Sequence, residues 1–186
     1  MSRRQEIADV AIRLLAAEGM RGLTHRAVDR AAGLPEGSTS YYFRTRQALL
    51  QATAERLAEH GAAEIAALQE QAESSGGGQD ELVDAVAWLV GEWLTTGRDR
   101  QLARFELSLE STRRPELRRV LLANRARQCT MIARLLDASG VPDADRWAGD
   151  LVAYGDGLVF DRLVTRGDTS DLRTKIRALL ATVGEH

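Results

Sequence analysis

The sequence predicts an all-α protein with about nine helices. Apolar residues recur with a helical period, the alternation typical of strands is hard to find, and the helix-favouring residues Ala, Leu, Arg and Glu dominate the composition. The chain of 186 residues is 44% hydrophobic and 28% charged, which is enough for one or two domains with a hydrophobic core. We therefore expect an ordinary soluble globular protein.

The first three predicted helices are short. A capping box at Ser2 opens the first helix, and Gly19 is expected to end it. Thr24 is expected to cap the second helix, which Gly33 terminates. Pro35 suits the first turn of the third helix, because its missing N–H would be unpaired there in any case.

Longer helices follow. The fourth is predicted to span on the order of 40 Å, and the segment SSGGGQD, residues 74–80, reads as a linker. The predicted starts of the long helices are Thr45, Asp80, the residues after Gly97, Pro115, Pro142, and Asp168 or Ser170.

Several classes of protein are not indicated. No apolar run approaches the roughly 20 residues of a membrane span, no signal peptide is visible, and a single cysteine excludes an internal disulfide, so we expect a cytoplasmic protein without a membrane partner. The three histidines are scattered, and no phosphate loop or nucleophile elbow occurs. We therefore predict no metal, no cofactor and no enzymatic activity.

Charge is distributed unevenly along the chain. Residues 1–46 contain eight arginines and five acidic residues, whereas the remainder contains 17 basic and 22 acidic residues. A basic head on an acidic body indicates that the head alone meets a polyanion.

The two short helices joined through AAGLP, residues 31–35, have the spacing of a helix-turn-helix, with a glycine in the turn. In this motif the second helix enters the major groove of DNA. The segment GLPEGSTSYYFRTRQALL, residues 33–50, supplies short hydroxyl side chains for bases and phosphates and a helix start suited to anions. The predicted DNA-contact residues are Thr24, His25, Arg26, Glu36, Gly37, Ser38, Thr39, Ser40, Tyr41, Tyr42, Thr45 and Arg46.

Other interpretations of these residues remain open. Tyr41 suits either the core or a phosphate contact, and Phe43 suits the core better. Thr24 is first of all a helix cap, and His25 and Arg26 also fit a merely solvated surface.

The segment resembles the DNA-binding domain of the TetR family of bacterial transcriptional repressors over roughly residues 3–50. That family's pattern has a helix opened by Thr, an Ala-Gly-apolar turn, a Gly-Ser/Thr element, an aromatic pair ending in Phe, a Ser/Thr-Lys cap and a leucine. The matching residues here are Thr24, Ala32-Gly33-Leu34, Gly37-Ser38, Tyr42-Phe43, Thr45-Arg46 and Leu49.

The sequence also departs from the pattern at several positions. Asp29 stands where the pattern has alanine, Pro35 where it has a capping serine, and Arg46 where it has lysine. Thr39 and Ser40 replace an apolar-then-tyrosine pair, which alters the reading face and hence the operator sequence.

The resemblance implies that residues 1–47 form the DNA-binding domain and residues 48–186 a helical bundle for ligand binding and dimerisation. Apolar stripes on the last two helices suit a four-helix interface between two copies, and the alternative is an intramolecular core. The predicted dimer residues are Leu151, Tyr154, Gly155, Leu158, Val159, Leu172, Ile176, Leu179 and Leu180.

The resemblance also implies a small-molecule pocket among the C-terminal helices, lined by large apolar groups with a few polar ones. For each of these residues, plain core or surface is the alternative, and Cys129 fits a small buried hydrophobe. The candidate ligand-binding residues are Trp88, Trp93, Phe105, Glu106, Asn124, Gln128, Met131, Trp147 and Phe160.

We therefore predict a ligand-responsive repressor that binds a palindromic operator on double-stranded DNA as a homodimer and is released by a small-molecule effector. One alternative is a helical module that binds a ligand or partner without DNA, and another is an activator of the same fold.

Overall fold

The structure, a computed structural model, describes residues 2–74, 78–165, 167 and 169–184. Within these ranges every regular element is an α-helix and nine helices are present, which confirms the predicted fold class. The helices are α1 (Arg3–Gly22), α2 (His25–Ala31), α3 (Ser38–Tyr42), α4 (Arg46–Ser74), α5 (Gln79–Leu94), α6 (Arg98–Ser111), α7 (Pro115–Ala138), α8 (Ala144–Thr165) and α9 (Leu172–Gly184). None of the helices in these ranges has the length and apolarity that crossing a membrane requires.

The helices pack into two compact units. The first contains Met1–His60 and Asp99–Asn124, and the second contains Gly61–Arg98 and Arg125–His186. The divisions fall inside α4, after the first residue of α6 and inside α7, so each of these three helices contributes residues to both units.

The inward faces of the first four helices build the core of the first unit. Ile7, Val28, Phe43 and Leu49 are each at most 1% exposed, and they lie in one apolar cluster with Leu107 of α6. Burying an apolar side chain of this size stabilises the fold by about 1.5–3 kcal/mol. This cluster therefore holds the short helices α2 and α3, which are too short to be stable alone.

Side chains at three helix starts cap the helices as the sequence predicts. Ser2 accepts a hydrogen bond from the backbone N–H of Gln5, and the Gln5 side chain accepts one from the N–H of Ser2, which completes the capping box. Thr24 accepts from the N–H three residues later at 3.1 Å, and Thr45 does the same at 3.0 Å.

Gly19 interrupts α1 rather than ending it. Its φ of 64° and ψ of −168° lie in a region that glycine adopts at little cost, and the helix resumes as far as Gly22. The N–H of Met20, which the interruption frees, donates to the carboxylate of Glu106 at 3.3 Å. The predicted helix end at Gly19 is thus a kink within α1, and Glu106 accepts the backbone N–H of Met20 that follows it.

The third helix starts later than the sequence predicts. Residues 36 and 37 form a turn, and α3 begins at Ser38, whose N–H donates to the carbonyl of Pro35 at 3.1 Å. Gly37 is the N-cap with φ 91°, a left-handed conformation that favours glycine. Gly37 therefore lies outside the helix interior and does not weaken the helix there.

In the second unit, α5 contacts both α8 and α9. Leu82, Leu89, Val152 and Ile176 are buried. Ion pairs join Arg177 to Asp80, at 2.8 Å, and Arg173 to Asp84. Of the two predicted starts of the last helix, Asp168 lies outside the described residues, and α9 begins two residues after Ser170.

Asp9 joins α1 to α4 within the first unit. Its carboxylate accepts hydrogen bonds from Arg56 at 2.8 and 3.0 Å and lies 2.8 Å from Nε2 of His60. Burial by itself raises the pKa of Asp9, but the hydrogen bonds from Arg56 and His60 outweigh it and hold the pKa below its ordinary value.

We expect Asp9→Asn to lower the free energy of unfolding at pH 7 by about 1–3 kcal/mol, because charged hydrogen bonds are lost. A depressed folded-state pKa means that this contribution is complete above the unfolded pKa of about 3.9 and is lost as pH falls through the lower folded value. Denaturant unfolding of both proteins between about pH 2 and pH 7 measures the difference. A difference that grew on acidification would contradict this assignment.

Candidate nucleic-acid interface and ligand cavity

Helices α2 and α3 and the start of α4 present a polar face to solvent. Of the predicted DNA-contact residues, Thr39 is buried and the other eleven are exposed or half-buried. The exposed members are Thr24, Arg26, Glu36, Gly37, Ser40, Tyr41 and Thr45, and the half-buried members are His25, Ser38, Tyr42 and Arg46.

Thr39 is placed differently from its predicted position on the reading face. The residue is 0% exposed. Its hydroxyl has no partner at hydrogen-bond geometry, although it lies close enough to the carboxylate of Asp29 to help lower the pKa of that group. The side chain therefore contributes to packing and cannot touch DNA.

Asp29 lies on α2 next to the turn and is 3% exposed. Its carboxylate accepts hydrogen bonds from the N–H of Gly37 at 2.8 Å and the N–H of Thr39 at 2.7 Å. Burial by itself raises the pKa of Asp29, but hydrogen bonds from Thr39 and Gly37 and the nearby His25 outweigh it and lower the pKa. Asp29 was not among the predicted functional residues. The sequence feature that could have identified it is an acidic residue at a position where the TetR family pattern has alanine.

The three consecutive aromatics divide between surface and core. Tyr41 is 81% exposed, so the core interpretation of this residue is wrong, whereas Phe43 is 1% exposed and belongs to the core as expected. The rings of Tyr41 and Tyr42 meet edge to face with their centroids 5.2 Å apart. Arg4 secures this segment, because its guanidinium donates to the carbonyl of Tyr42 at 2.8 Å and lies 4.5 Å from the ring centroid of Phe43.

Arg46 is half-buried, and its guanidinium donates to the backbone carbonyls of Met20 and Leu23. The predicted role was contact with phosphate, and the structure instead uses this side chain to hold the connection between α1 and α2. Arg44, two residues earlier, is exposed. Arg44 was not among the predicted contacts, although it directly precedes the capping residue Thr45 at the start of α4.

Two polar contacts border the exposed face. Nε2 of His25 lies 2.7 Å from the carbonyl oxygen of Phe43. Arg26 and Glu36 form an ion pair at 2.9 Å, with side chains 84% and 74% exposed. Solvent screens such a pair, so it contributes little to stability and both groups can exchange partners.

The second unit contains a largely apolar cavity of about 100 Å³. Asp156 is the one charged residue among its described lining, and Arg125 lies 3.6 Å from that carboxylate. The apolar and aromatic lining includes Ile65, Leu68, Leu89, Trp93, Ile132, Tyr154 and Leu158.

All nine residues predicted for a dimer interface line this cavity or are buried within the single chain. Leu151, Tyr154, Gly155, Leu158, Ile176, Leu179 and Leu180 line the cavity. Val159 and Leu172 are 0% and 3% exposed within the single chain. This inward face belongs to helices that contact α5, but Tyr154, which lines the cavity, is also 40% exposed. A role of these residues in a dimer interface stays a prediction.

The candidate ligand residues are not brought together. Trp93 and Gln128 line the cavity, and the indole N–H of Trp93 donates to Glu64 at 2.7 Å. Trp88 and Phe160 are about half exposed, at 48% and 49%. The remaining candidates, and Cys129, are half-buried away from this lining: Phe105, Glu106, Asn124, Met131 and Trp147.

Two of these candidates have structural partners inside the first unit. Glu106 accepts the N–H of Met20, as described above, and the side-chain amide of Asn124 donates to the carbonyl of Ala54 at 3.2 Å. Both belong to the unit that does not contain the cavity. Their polar groups therefore form hydrogen bonds to the backbone of other helices within the first unit.

A second stripe on α8 faces solvent. Its members recur at intervals of four, three and four residues, which places them on one side of the helix. They are Ala153, Gly157, Phe160 and Val164, all exposed. Thr174, Ala178 and Ala181 form a similar exposed face of small residues on α9.

Two family models match the chain. The model described as "Bacterial regulatory proteins, tetR family" matches residues 7–53, and the model described as "Tetracyclin repressor-like, C-terminal domain" matches residues 77–185. No curated protein is significantly similar to the chain in sequence.

Solved structures share both fold and sequence with the chain. A TetR family member from Streptomyces coelicolor A3 is 33% identical over 96% of this chain and 98% of its own, with a TM-score of 0.75. The multidrug binding protein EbrR in complex with ethidium is 32% identical over 100% of both chains, with a TM-score of 0.75, and EbrR was also solved with proflavin and with malachite green. A transcriptional regulator from Rhodococcus sp. Rha1 has a TM-score of 0.81 at 17% identity over 98% and 96% of the two chains, which indicates a shared fold alone.

Proposed function

Because the chain belongs to the TetR family of bacterial transcriptional regulators, we propose that it is a repressor that binds a palindromic operator as a homodimer and is released by a small-molecule effector. The observation that carries this proposal is an exposed polar helix-turn-helix face in the same chain as an apolar cavity. We divide the functions at residue 47, with DNA binding before it and effector binding and dimerisation after it.

We assign the DNA contacts to the exposed side of α2, α3 and the start of α4. Ser40 and Tyr41 are the exposed side chains of α3 itself, where hydroxyl groups can reach base edges or phosphates. Arg44 joins the proposed phosphate contacts because it is an exposed cation beside them. Thr39 and Arg46 act from inside the domain by holding the helices in place.

The homodimer is proposed to form through the solvent-facing stripe of α8, with the small residues of α9 beside it. Ala153 and Gly157 allow close approach of two helices, and Phe160 and Val164 provide apolar area to bury. A two-fold axis through such an interface makes the same face meet itself. Two recognition helices about 34 Å apart then require a near-palindromic operator.

We expect Val164→Glu to convert the dimer to monomer and raise the dissociation constant by at least about 30-fold, because it places two carboxylates in an apolar interface. Val164 is 66% exposed, so the isolated chain accommodates the change. Sedimentation velocity across a dilution series measures the effect. Leu109→Glu is the matched control, since Leu109 is 63% exposed on α6, and equal weakening by both variants would contradict the interface.

For the effector we propose an aromatic, lipophilic cation. The supporting observations are the apolar lining, the aromatic rings of Trp93 and Tyr154 and the carboxylate of Asp156 in the cavity. The EbrR ligands ethidium, proflavin and malachite green are compounds of this class. A cavity of about 100 Å³ is smaller than the roughly 300–1,000 Å³ of pockets for drug-sized ligands, so binding requires the cavity to widen.

We expect Gly155→Leu to weaken ethidium binding at least about tenfold while DNA binding persists. Gly155 lines the cavity, and a Cβ there meets open space, so the new side chain fills volume that the ligand needs. Replacing a glycine within α8 also raises helix stability by up to about 1 kcal/mol. Fluorescence titration measures the affinity, and Gly149→Leu, on the same helix outside the cavity lining, is the control.

Effector release follows as a population shift. An effector that favours the widened cavity lowers DNA affinity only by its differential affinity for the two forms. Helix α4 runs from the DNA-binding motif to Ile65 and Leu68 in the cavity lining, so it is continuous between the two functions.

The test starts from duplexes that the wild-type protein selects from a randomised DNA library. We expect selection of inverted repeats, binding by a dimer, and release when ethidium is added. Failure to enrich any sequence would overturn the proposal and favour a helical binding module without DNA. Enrichment of single half-sites would overturn the palindromic dimer.

A further inference from the structure

Helix α3 has no cap of its own. Its N-cap residue, Gly37, carries no side chain, and no side-chain hydrogen bond caps the helix from that position. The first hydroxyl of the helix, on Ser38, donates outward to the carbonyl of Pro35 at 2.7 Å. A helix of five residues has few internal hydrogen bonds, so its free N–H groups require other acceptors.

Asp29 on α2 supplies those acceptors. One carboxylate oxygen accepts the N–H of Gly37 at 2.8 Å, and the other accepts the N–H of Thr39 at 2.7 Å. The backbone carbonyl of the same residue accepts the N–H of Leu34 at 2.9 Å. One residue therefore binds the turn, the N-cap and the second residue of α3.

The chemistry at this position favours a carboxylate. Hydrogen bonds from N–H groups to an ionised acceptor are about twice as strong as neutral ones, and negative charge is stabilised at a helix N-terminus. At 3% exposure, Asp29 keeps these bonds away from competing water. Its lowered pKa keeps the group ionised throughout the physiological range.

We propose that Asp29 is the positioning residue of the recognition helix, holding α3 against α2 so that Ser40 and Tyr41 meet DNA in a fixed orientation. The proposal rests on the DNA-contact face assigned above. On this proposal Asp29 affects DNA affinity without contacting DNA, because α3 has no side-chain cap at its own N-cap residue and depends on Asp29 for its position.

The test compares Asp29→Asn and Asp29→Ala with Asp9→Asn. Asparagine keeps the shape but turns one acceptor into an N–H₂ donor that faces an N–H, and it serves if the alanine variant does not fold. Asp9→Asn removes an equal charge from the same unit without touching α3. Two quantities are measured below the melting temperature of every variant: affinity for the selected duplex, and hydrogen exchange at the amides of Gly37 and Thr39.

We expect Asp29→Asn to lose roughly tenfold to hundredfold in affinity and the protection of both amides, whereas Asp9→Asn keeps both at matched folding. A positioning role also predicts that discrimination between the operator and altered half-sites falls. Wild-type affinity and protection in Asp29→Asn would overturn the proposal, as would an affinity loss that merely follows the melting temperature. If the wild type binds no duplex, the proposed function fails and the role in DNA recognition with it, while amide exchange still decides whether Asp29 holds α3.

Discussion

Raising the salt concentration from 50 to 200 mM is expected to weaken operator binding by about 10³–10⁵-fold, if a dimer neutralises six to ten phosphates. Residues 1–46 contain eight arginines against five acidic residues, and the exposed arginines among them provide the cations. Arg30 and Arg44 are among the exposed ones. Each neutralised phosphate releases counterions, so the logarithm of affinity falls linearly with the logarithm of salt concentration.

The slope of that line, measured by fluorescence anisotropy on a selected duplex, tests individual contacts. Arg44→Ala should reduce the slope by roughly two for a dimer, because each subunit loses one phosphate contact. Arg134→Ala removes an exposed arginine of α7 in the second unit and should leave the slope unchanged. Equal slopes for wild type and Arg44→Ala would remove Arg44 from the interface.

Phe43→Ala is expected to destabilise the protein by about 3–5 kcal/mol, because the deletion of a buried aromatic ring leaves a cavity. The ring is 1% exposed and packs in the cluster that contains Ile7, Val28 and Leu49. It also lies under the guanidinium of Arg4. Domains are stable by only about 5–15 kcal/mol, so this one change removes much of the stability that presents α3.

Tyr41→Ala is the matched control for Phe43→Ala. Tyr41 is 81% exposed, so its removal should change the free energy of unfolding by less than about 0.5 kcal/mol, while the tyrosine remains a proposed DNA contact. Urea unfolding followed by circular dichroism measures both variants. A similar loss of stability in the two would contradict the division of the aromatic run into core and surface.

Local features of the fold were predictable because they depend on residues close together in the chain. The capping box at Ser2 and the caps at Thr24 and Thr45 were predicted from local residue patterns, and the structure contains them. The core position of Phe43, the preferred interpretation of that residue, is confirmed as well. The start of α3 was predicted at Pro35, but the helix begins at Ser38. Gly37 adopts a left-handed conformation, which is not helical, so the helix can begin only after it.

The sequence by itself determined the all-α class and the helix-turn-helix, because helix periodicity, caps and turn glycines act over three or four residues. Only the tertiary structure decided which side of α8 faces inward, since Leu158 and Phe160 are both apolar and periodicity cannot choose between them. It also decided that Thr39 is buried, that Arg46 donates to backbone carbonyls and that Asp29 accepts the N–H groups of Gly37 and Thr39, eight and ten residues away. In each case the groups that surround the side chain come close to it only when the chain folds, so the spacing of residues in the sequence does not predict the contact.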